Sequence, residues 1–391
     1  MAAMRLSATL LAIFLSTGAR AADTVLSIGY LELENDSRYS EQFTEARFPG
    51  QPWGRPFDGA RVALKESSFA GSAAGVKFEL VRESAPDVSS LFAALERLSA
   101  KGTRFFLLDA PGQVVSEIAR RTKGRDLLLF NLTALDDELR QAQCQVHLLH
   151  VAPSRAMLMD ALAQYLVSRK WREVLVLKGS NAGDESIHRS FERAAKRFGL
   201  KIVDTRAFVL SRDPRQRGRS NVALLTGATD YDVVVVLDAD SEFAREVPYQ
   251  TLKPRPVVGS AGLVPDWWYW AWERHGAPQL NARFRKTTNR PMTGYDWSAW
   301  MGVKAIAEAV VRTRGAEFKT LRNYLRGDAI ILDGFKGNPM SFRPWDNQLR
   351  QPILLTTGDW VAARAPVEGF LHARNNLDTL GFDEKDSQCR F

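Results

Sequence analysis

The chain has 391 residues, 45% hydrophobic and 25% charged, which is material for roughly two to three domains with cores of their own. With 17 prolines, 27 glycines and 2 cysteines, the composition excludes a disordered tail, a collagen-like fibre and a disulfide-dense miniprotein. A formal charge of +8 raises nucleic acid as a partner, because Lys and Arg neutralise phosphates, but the N-terminus turns the reading away from it.

Residues 1–21 contain Arg5, an apolar run over 6–15 and the small-x-small ending Ala19-Arg20-Ala21, the pattern of a cleaved export signal. Cleavage removes Arg5 and Arg20, and the modest basic excess that remains suits an anionic small molecule better than DNA. No other stretch approaches the ~18–20 uninterrupted apolar residues that a membrane span needs, so the mature chain is expected to be soluble. In an oxidising envelope Cys144 and Cys389 can pair and tie the C-terminal tail to the middle of the chain; two separate buried thiols are the alternative.

Short strand-like runs at 25–31, 76–81, 104–108 and 127–131 alternate with segments of helical period such as 91–101. A second series follows at 146–151, 174–177, 203–210, 233–237 and 256–260, several of them continuously apolar, as parallel strands covered on both faces are. Between them, Leu158, Leu162, Tyr165 and Leu166 form one apolar stripe after Pro153-Ser154. Ile187, Phe191, Ala194, Ala195 and Phe198 form another, with Gly199 where a left-handed C-cap belongs. A third helix, 300–313, places Val303, Ile306, Ala307, Val310 and Val311 inward. Two successive β-α-β series, interrupted by the helical segment 266–326, predict an α/β chain of two Rossmann-like doubly wound lobes around a cleft.

Catalytic signatures are absent: no His-Glu-x-x-His, no Gly-x-Ser-x-Gly, no Gly-x-Gly-x-x-Gly and no Walker loop. None of the five histidines stands at paired ligand spacing, so no zinc site is expected. The string 238–242 mimics the start of a calcium loop, but Phe243 stands where that loop requires glycine. In doubly wound sheets the ligand lies beyond the carboxyl ends of the strands, here 30–34, 109–111, 131–133, 150–154, 178–180, 238–240 and 260–262.

Six of the ten tryptophans fall between Trp267 and Trp300. Core filling accounts for spacings such as Trp268 with Trp272, but adjacent Trp267 and Trp268 cannot share one helix face and directly follow a strand end, so one of them is expected to stack on a flat ligand. The segment 35–55 is longer than an ordinary βα loop and carries Arg38, Tyr39, Arg47, Trp53 and Arg55, a mixture suited to a planar polycarboxylate. Arg212, Arg215, Arg217 and Arg219 read instead as an exposed loop.

Several strings in fixed order carry a resemblance. They are Pro153-Ser154, Gln164-Tyr165-Leu166, 171–177 (WREVLVL), 191–200 (FERAAKRFGL), Tyr295-Asp296-Trp297, 333–337 (DGFKG) and Ser341-Phe342-Arg343. In these the chain resembles type I periplasmic solute-binding proteins of ABC transporters, the branched-chain amino-acid-binding kind. Through 135–140 (LDDELR), Cys144 and 150–154 (HVAPS) it is similar to the subgroup associated with pyrroloquinoline quinone (PQQ)-dependent alcohol oxidation. The resemblance implies a monomeric periplasmic binding protein that is no enzyme and has no catalytic cofactor, with lobe 1 from 22–148 plus 266–337 and lobe 2 from 149–265 plus 338–391. Its partner would be an ABC transporter permease or a PQQ-dependent dehydrogenase. The implied ligand, PQQ, is a planar tricarboxylate, and an aliphatic amino-acid site fits poorly because 35–55 replaces the compact loop such a site expects. On this reading Trp267 or Trp268 stacks on the ligand, Arg38, Arg47, Lys178 and Arg343 meet its carboxylates, and Tyr30, Ser260 and Asp240 line the cleft. Rival readings are a binding protein for amino acids or aromatic carboxylates, an exported enzyme on the same fold, and a sensory ectodomain.

Overall fold

The computed structural model describes residues 24–211 and 213–391; the predicted signal segment 1–21 and Arg212 of the predicted exposed loop lie outside them. Of that loop, Arg215 and Arg219 are exposed.

Two parallel sheets organise the chain. The first holds β1 (Thr24–Leu33), β2 (Val76–Ala85), β3 (Phe105–Asp109), β4 (Leu128–Asn131) and β5 (Leu148–His150) in the order β2-β1-β3-β4-β5. The second holds β6 (Glu173–Lys178), β7 (Lys201–Ala207), β8 (Val233–Leu237) and β9 (Val257–Gly259) in the order β7-β6-β8-β9. β8 is five consecutive apolar residues, every one buried, because helices cover both of its faces. Beside it, β10 (Val264–Asp266), β13 (Ile353–Thr357) and β14 (Trp360–Ala365) form an antiparallel sheet, and β11 (Leu332–Asp333) with β12 (Pro339–Met340) a short ribbon.

Helix α1 (Glu41–Ala46) sits in the long segment after β1, and α2 (Phe57–Ala73), α3 (Val88–Ala100) and α4 (Gly112–Arg121) flank the first sheet. α5 (Arg155–Ser168), α6 (Ala182–Phe198), α7 (Val222–Gly227) and α8 (Val247–Gln250) accompany the second, and α9 (Ala277–Thr288), α10 (Gly294–Thr313) and α11 (Phe318–Arg326) return to the first. Local chemistry sets their ends. Asn181 and Asp184 form a capping box at the start of α6, whose other end is Gly199 at φ 69°; Thr293 and Asp296 do the same for α10. α10 therefore begins six residues before the position predicted from periodicity, and Val311, expected inside, is 37% exposed. α10 lies so close against α2 that a Cβ on Gly59 would stand 2.0 Å from the Asp296 carbonyl oxygen.

The chain crosses between the sheets beside β5 and again near 341–352, where the Gln348 side chain donates to the His150 and Ala152 carbonyls. Cys144 and Cys389 are joined in a disulfide across a Cα–Cα distance of 5.7 Å. One buried apolar cluster runs from β1 and α2 through Trp267, Trp268, Trp297 and Trp300 to α5 and α6, so the tryptophans belong to the floor that both sheets share. Among the described residues no helix is long and apolar enough to cross a membrane.

Candidate functional site

The carboxyl ends of both sheets face one another, and there the fold leaves a cavity of about 290 Å³. That is near the small end of ligand sites, which typically start at about 300 Å³. The segment after β1 contributes Ser37, Arg38, Phe43 and 49–51; α5 contributes Arg155, Leu158 and Met159; α10 contributes Tyr295. The second sheet contributes 237–241 from the end of β8 onward and Gly259 and Ser260 at the end of β9, and β10 of the antiparallel sheet contributes Val264 and Pro265.

On the first sheet's side the strand ends are filled by the protein itself. Asp109, at the end of β3 and fully buried, accepts hydrogen bonds from Tyr30 Oη at 3.2 Å, Tyr39 Oη at 2.6 Å and Arg38 Nη2 at 3.4 Å. Arg38 also donates Nε and Nη2 to Asp36. Arg55 lies 3.8 Å from Asp109 and 3.9 Å from Glu32, with its guanidinium 4.3 Å above the Tyr39 ring. Arg82 completes the set with a 2.6 Å bond to Glu32. Burial raises the Asp109 pKa, with Arg38 and the Tyr39 hydrogen bond opposing it; burial, with the nearby carboxylate adding to it, raises Tyr30 and Tyr39 well above the usual phenol range. Three carboxylates (Glu32, Asp36 and Asp109) and three guanidiniums (Arg38, Arg55 and Arg82) thus neutralise one another where the segment 35–55 meets the first sheet, and two of the arginines expected there as free cations belong to that set.

The second sheet's side is built differently. Asp238 receives the backbone N–H groups of Phe243 at 2.8 Å and Ala244 at 2.9 Å, so it caps the turn after β8, and its own N–H donates to Ser260 Oγ at 3.0 Å. Asp240 is exposed and accepts from Asn181 Nδ2 at 3.4 Å. Gly259, at φ 107°, brings its backbone so close to β8 that a Cβ would meet the Val236 carbonyl oxygen at 2.3 Å. Gln51 Nε2, from the segment after β1, donates to the Ala239 carbonyl at 2.7 Å and ties the two sides together.

Of the sequence-predicted site residues, Arg38, Ser260 and Asp240 line the cavity. Tyr30 is buried outside the lining, with its hydroxyl given to Asp109. Arg47 is a correction: it ends α1 in the left-handed region at φ 51° and is exposed away from the cavity lining. Lys178 pairs with Glu185 at 2.7 Å outside the lining. Trp267 and Trp268 are 1% and 0% exposed, and their indole N–H groups donate to Ser298 and Asn281, each at 3.0 Å, so neither presents a face to a ligand. The chain leaves β10 there in non-helical backbone, which lets adjacent indoles point to opposite sides and both be buried. Arg343 is 1% exposed and is spent on Asp378 at 2.8 Å and the Leu377 and Leu380 carbonyls. The cation set expected for a tricarboxylate is therefore not assembled here.

Sequence reasoning missed Arg155 and Tyr295. Arg155 directly follows Ser154, the N-cap of α5 and the last residue of a predicted strand-end group; Tyr295 stands in the first turn of α10, two residues past its N-cap. Both signals were positional and present in the sequence. The Arg155 guanidinium makes no hydrogen bond among the described residues, and its buried Nη1 lies 3.2 Å from an Asp136 oxygen without hydrogen-bond alignment. The Tyr295 hydroxyl also has no partner there, and burial pushes its pKa up to about 12 against the opposing charges of Arg38 and Arg155, so it stays an O–H donor.

Residues 49–239 match a family model described as periplasmic binding protein. No curated protein matches the sequence. Among solved structures, a branched chain amino acid ABC transporter periplasmic ligand-binding protein from Burkholderia xenovorans is 13% identical, with a TM-score of 0.71 over 93% of this chain and 99% of that one. An amino acid ABC transporter substrate-binding protein from Pseudomonas fluorescens is 13% identical, with a TM-score of 0.68 over 95% and 100%. A solute binding protein of an ABC transporter from Rhodopseudomonas palustris, in complex with 3,4-dihydroxy benzoic acid, is 13% identical, with a TM-score of 0.64 over 87% and 94%. The family and these neighbours are binding proteins, and with its two parallel sheets facing one cleft the chain has the fold of the type I periplasmic binding proteins.

Proposed function

We propose that the chain is a periplasmic solute-binding protein that holds one small organic solute between its two lobes and delivers it to an ABC-type membrane transporter. The cavity carries this reading: it lies where the strand ends of both sheets converge, it is walled by apolar side chains, and its polar groups come from the first sheet's loop, from α5 and α10, and from the second sheet. Its apolar wall of Phe43, Leu135, Leu158, Met159 and Ile187 suits a compact aliphatic or aromatic body. Export by the signal segment 1–21, the lobe boundaries predicted from sequence and closure by hinge motion all belong to the same reading.

Amino acids and aromatic carboxylates fit the cavity better than PQQ, whose three carboxylates would need cations that Arg47, Lys178 and Arg343 do not supply here. The test is isothermal titration of the mature protein with leucine, benzoate, 3,4-dihydroxybenzoate and PQQ, repeated on Ser37→Trp. Ser37 is exposed at the cavity rim, so the indole fills the space without disturbing the core. One-to-one binding of a panel member that Ser37→Trp abolishes is the expected result. Binding indifferent to Ser37→Trp, or none at millimolar concentration, refutes the proposal.

A further inference from the structure

We infer that Arg155, Arg38 and Tyr295 form a carboxylate clamp, so that the solute this cavity accepts is an acid and the clamp sets its selectivity; this rests on the solute-binding reading above. Three elements distant in sequence bring these donors to one cavity: the segment after β1, the first residue of α5 and the first turn of α10. All three line the same cavity, where the charges of Arg38 and Arg155 both oppose the rise of the Tyr295 pKa.

What distinguishes them is unspent donor capacity. A guanidinium carries five N–H groups, and a buried donor left without a partner is costly. Arg343, Arg140, Arg290 and Arg350, all more buried than Arg155, give theirs to carboxylates, carbonyls, a hydroxyl or a side-chain amide. The Arg155 guanidinium gives none, the Tyr295 hydroxyl gives none, and Arg38 donates only Nε and Nη2, with Nη1 unused. Asp136, 36% exposed at its side chain, compensates part of the Arg155 charge without satisfying its geometry. A planar carboxylate supplies the acceptors such a set lacks, and an Arg–carboxylate pair adds direction to charge. Facing it across the cavity stand Ser260 and Asp240, which suit a hydroxyl or ammonium at the ligand's other end.

The experiment pairs each acid with its neutral amide: benzoate with benzamide, 3,4-dihydroxybenzoate with its amide, leucine with leucinamide. Titration calorimetry is run on the wild type, Arg155→Met, Arg155→Lys and Tyr295→Phe, with melting curves confirming that each variant is folded. The acid that binds is expected to exceed its amide by at least about 10-fold, and Arg155→Met to weaken it by about 10- to 100-fold while leaving the amide within about threefold. Arg155→Lys restores part of the loss, and Tyr295→Phe costs about 5- to 10-fold. An amide that binds as well as its acid, or an acid unaffected by Arg155→Met, overturns the clamp and leaves the solute-binding reading standing. If Arg155→Met fails to fold, Arg155→Lys and Tyr295→Phe decide by the same acid-to-amide ratio. Failure of acids and amides alike overturns both.

Discussion

Replacing Arg343 by Met separates a structural role from a ligand-binding one. Arg343 is 1% exposed; its Nε bonds Asp378 at 2.8 Å, and its Nη2 bonds the Leu377 and Leu380 carbonyls at 3.0 and 2.7 Å. Removing one partner of a buried pair costs about 3–5 kcal/mol when the other charge is left alone. Here Arg350 still donates to both Asp378 oxygens, at 2.9 and 3.1 Å, which removes part of that cost. Of the three carbonyls that Arg343 serves, Leu380 loses its donor, at about 1–2 kcal/mol, while Leu377 keeps the Leu380 N–H and Phe382 the Trp345 indole, and methionine keeps the apolar stem packed. The expected net loss is about 3–4 kcal/mol, read from urea unfolding of wild type and variant followed by circular dichroism. Affinity for whichever acid binds should stay within about threefold, since the site is not shared. Unchanged stability with lost affinity would refute this reasoning and return Arg343 to the ligand.

Three further outcomes follow from the same kind of accounting. Lys336 is fully buried, with Nζ on the Trp267 carbonyl and Gln351 Oε1, each at 2.7 Å, and 3.7 Å from the Trp297 ring centroid; Lys336→Met should cost about 3–5 kcal/mol in urea unfolding, and a loss under about 1 kcal/mol would contradict it. Burial raises the Asp346 pKa from 3.8 to about 6 against the pull of Arg343. The folded state therefore holds this proton more tightly than the unfolded chain. Asp346 then contributes stability that is full below about pH 4 and lost as pH rises through about 6, on the order of 2–3 kcal/mol. Asp346→Asn keeps Oδ1 for the Gln348 N–H and should flatten that part of the pH profile; an unchanged slope would refute the assignment. Cys389→Ser opens a 245-residue loop, worth about 5–6 kcal/mol by chain entropy, and should expose the tail to limited proteolysis; equal protease resistance would show that the tail is held by its hydrogen bonds alone.

How much of the molecule could be read from its sequence depends on the range of the interactions concerned. The parallel strands were legible because burial on both faces writes itself as an uninterrupted apolar run, as in 233–237. The α6 boundary was legible because a left-handed C-cap selects glycine locally. The start of α10 was not, although Thr293 and Asp296 have capping-box spacing, because the inward apolar stripe that marks the helix begins only at Val303. The site was legible in its location and poorly in its members. Whether an arginine is free is decided by carboxylates far along the chain: Arg38 meets Asp109 71 positions away, and Arg343 meets Asp378 35 positions away. No local pattern separates such a residue from Arg155, whose neighbours leave its donors unused.

The segment after β1 explains why the site departs from what its length and arginines suggest. Most of its polar side chains are spent in seating it on the first sheet: Arg38 gives Nε and Nη2 to Asp36 and Asp109 and keeps Nη1, Tyr39 bonds Asp109, and Arg55 bonds the Leu33 carbonyl beside Glu32, while Arg47 stays exposed. A loop anchored this way is part of the wall rather than a mobile lid, because releasing it would leave Asp109, a fully buried carboxylate, with Tyr30 alone of its three side-chain donors. Only its far portion reaches across, where Gln51 bonds the Ala239 carbonyl and Arg245 lies 5.7 Å from the Phe48 ring. These contacts are neutral or partly exposed, the kind that breaks at about 1 kcal/mol each. The division is a physical one: strong buried bonds fix the segment to one lobe, weak ones join it to the other, and the cavity lies along the line where the weak ones run.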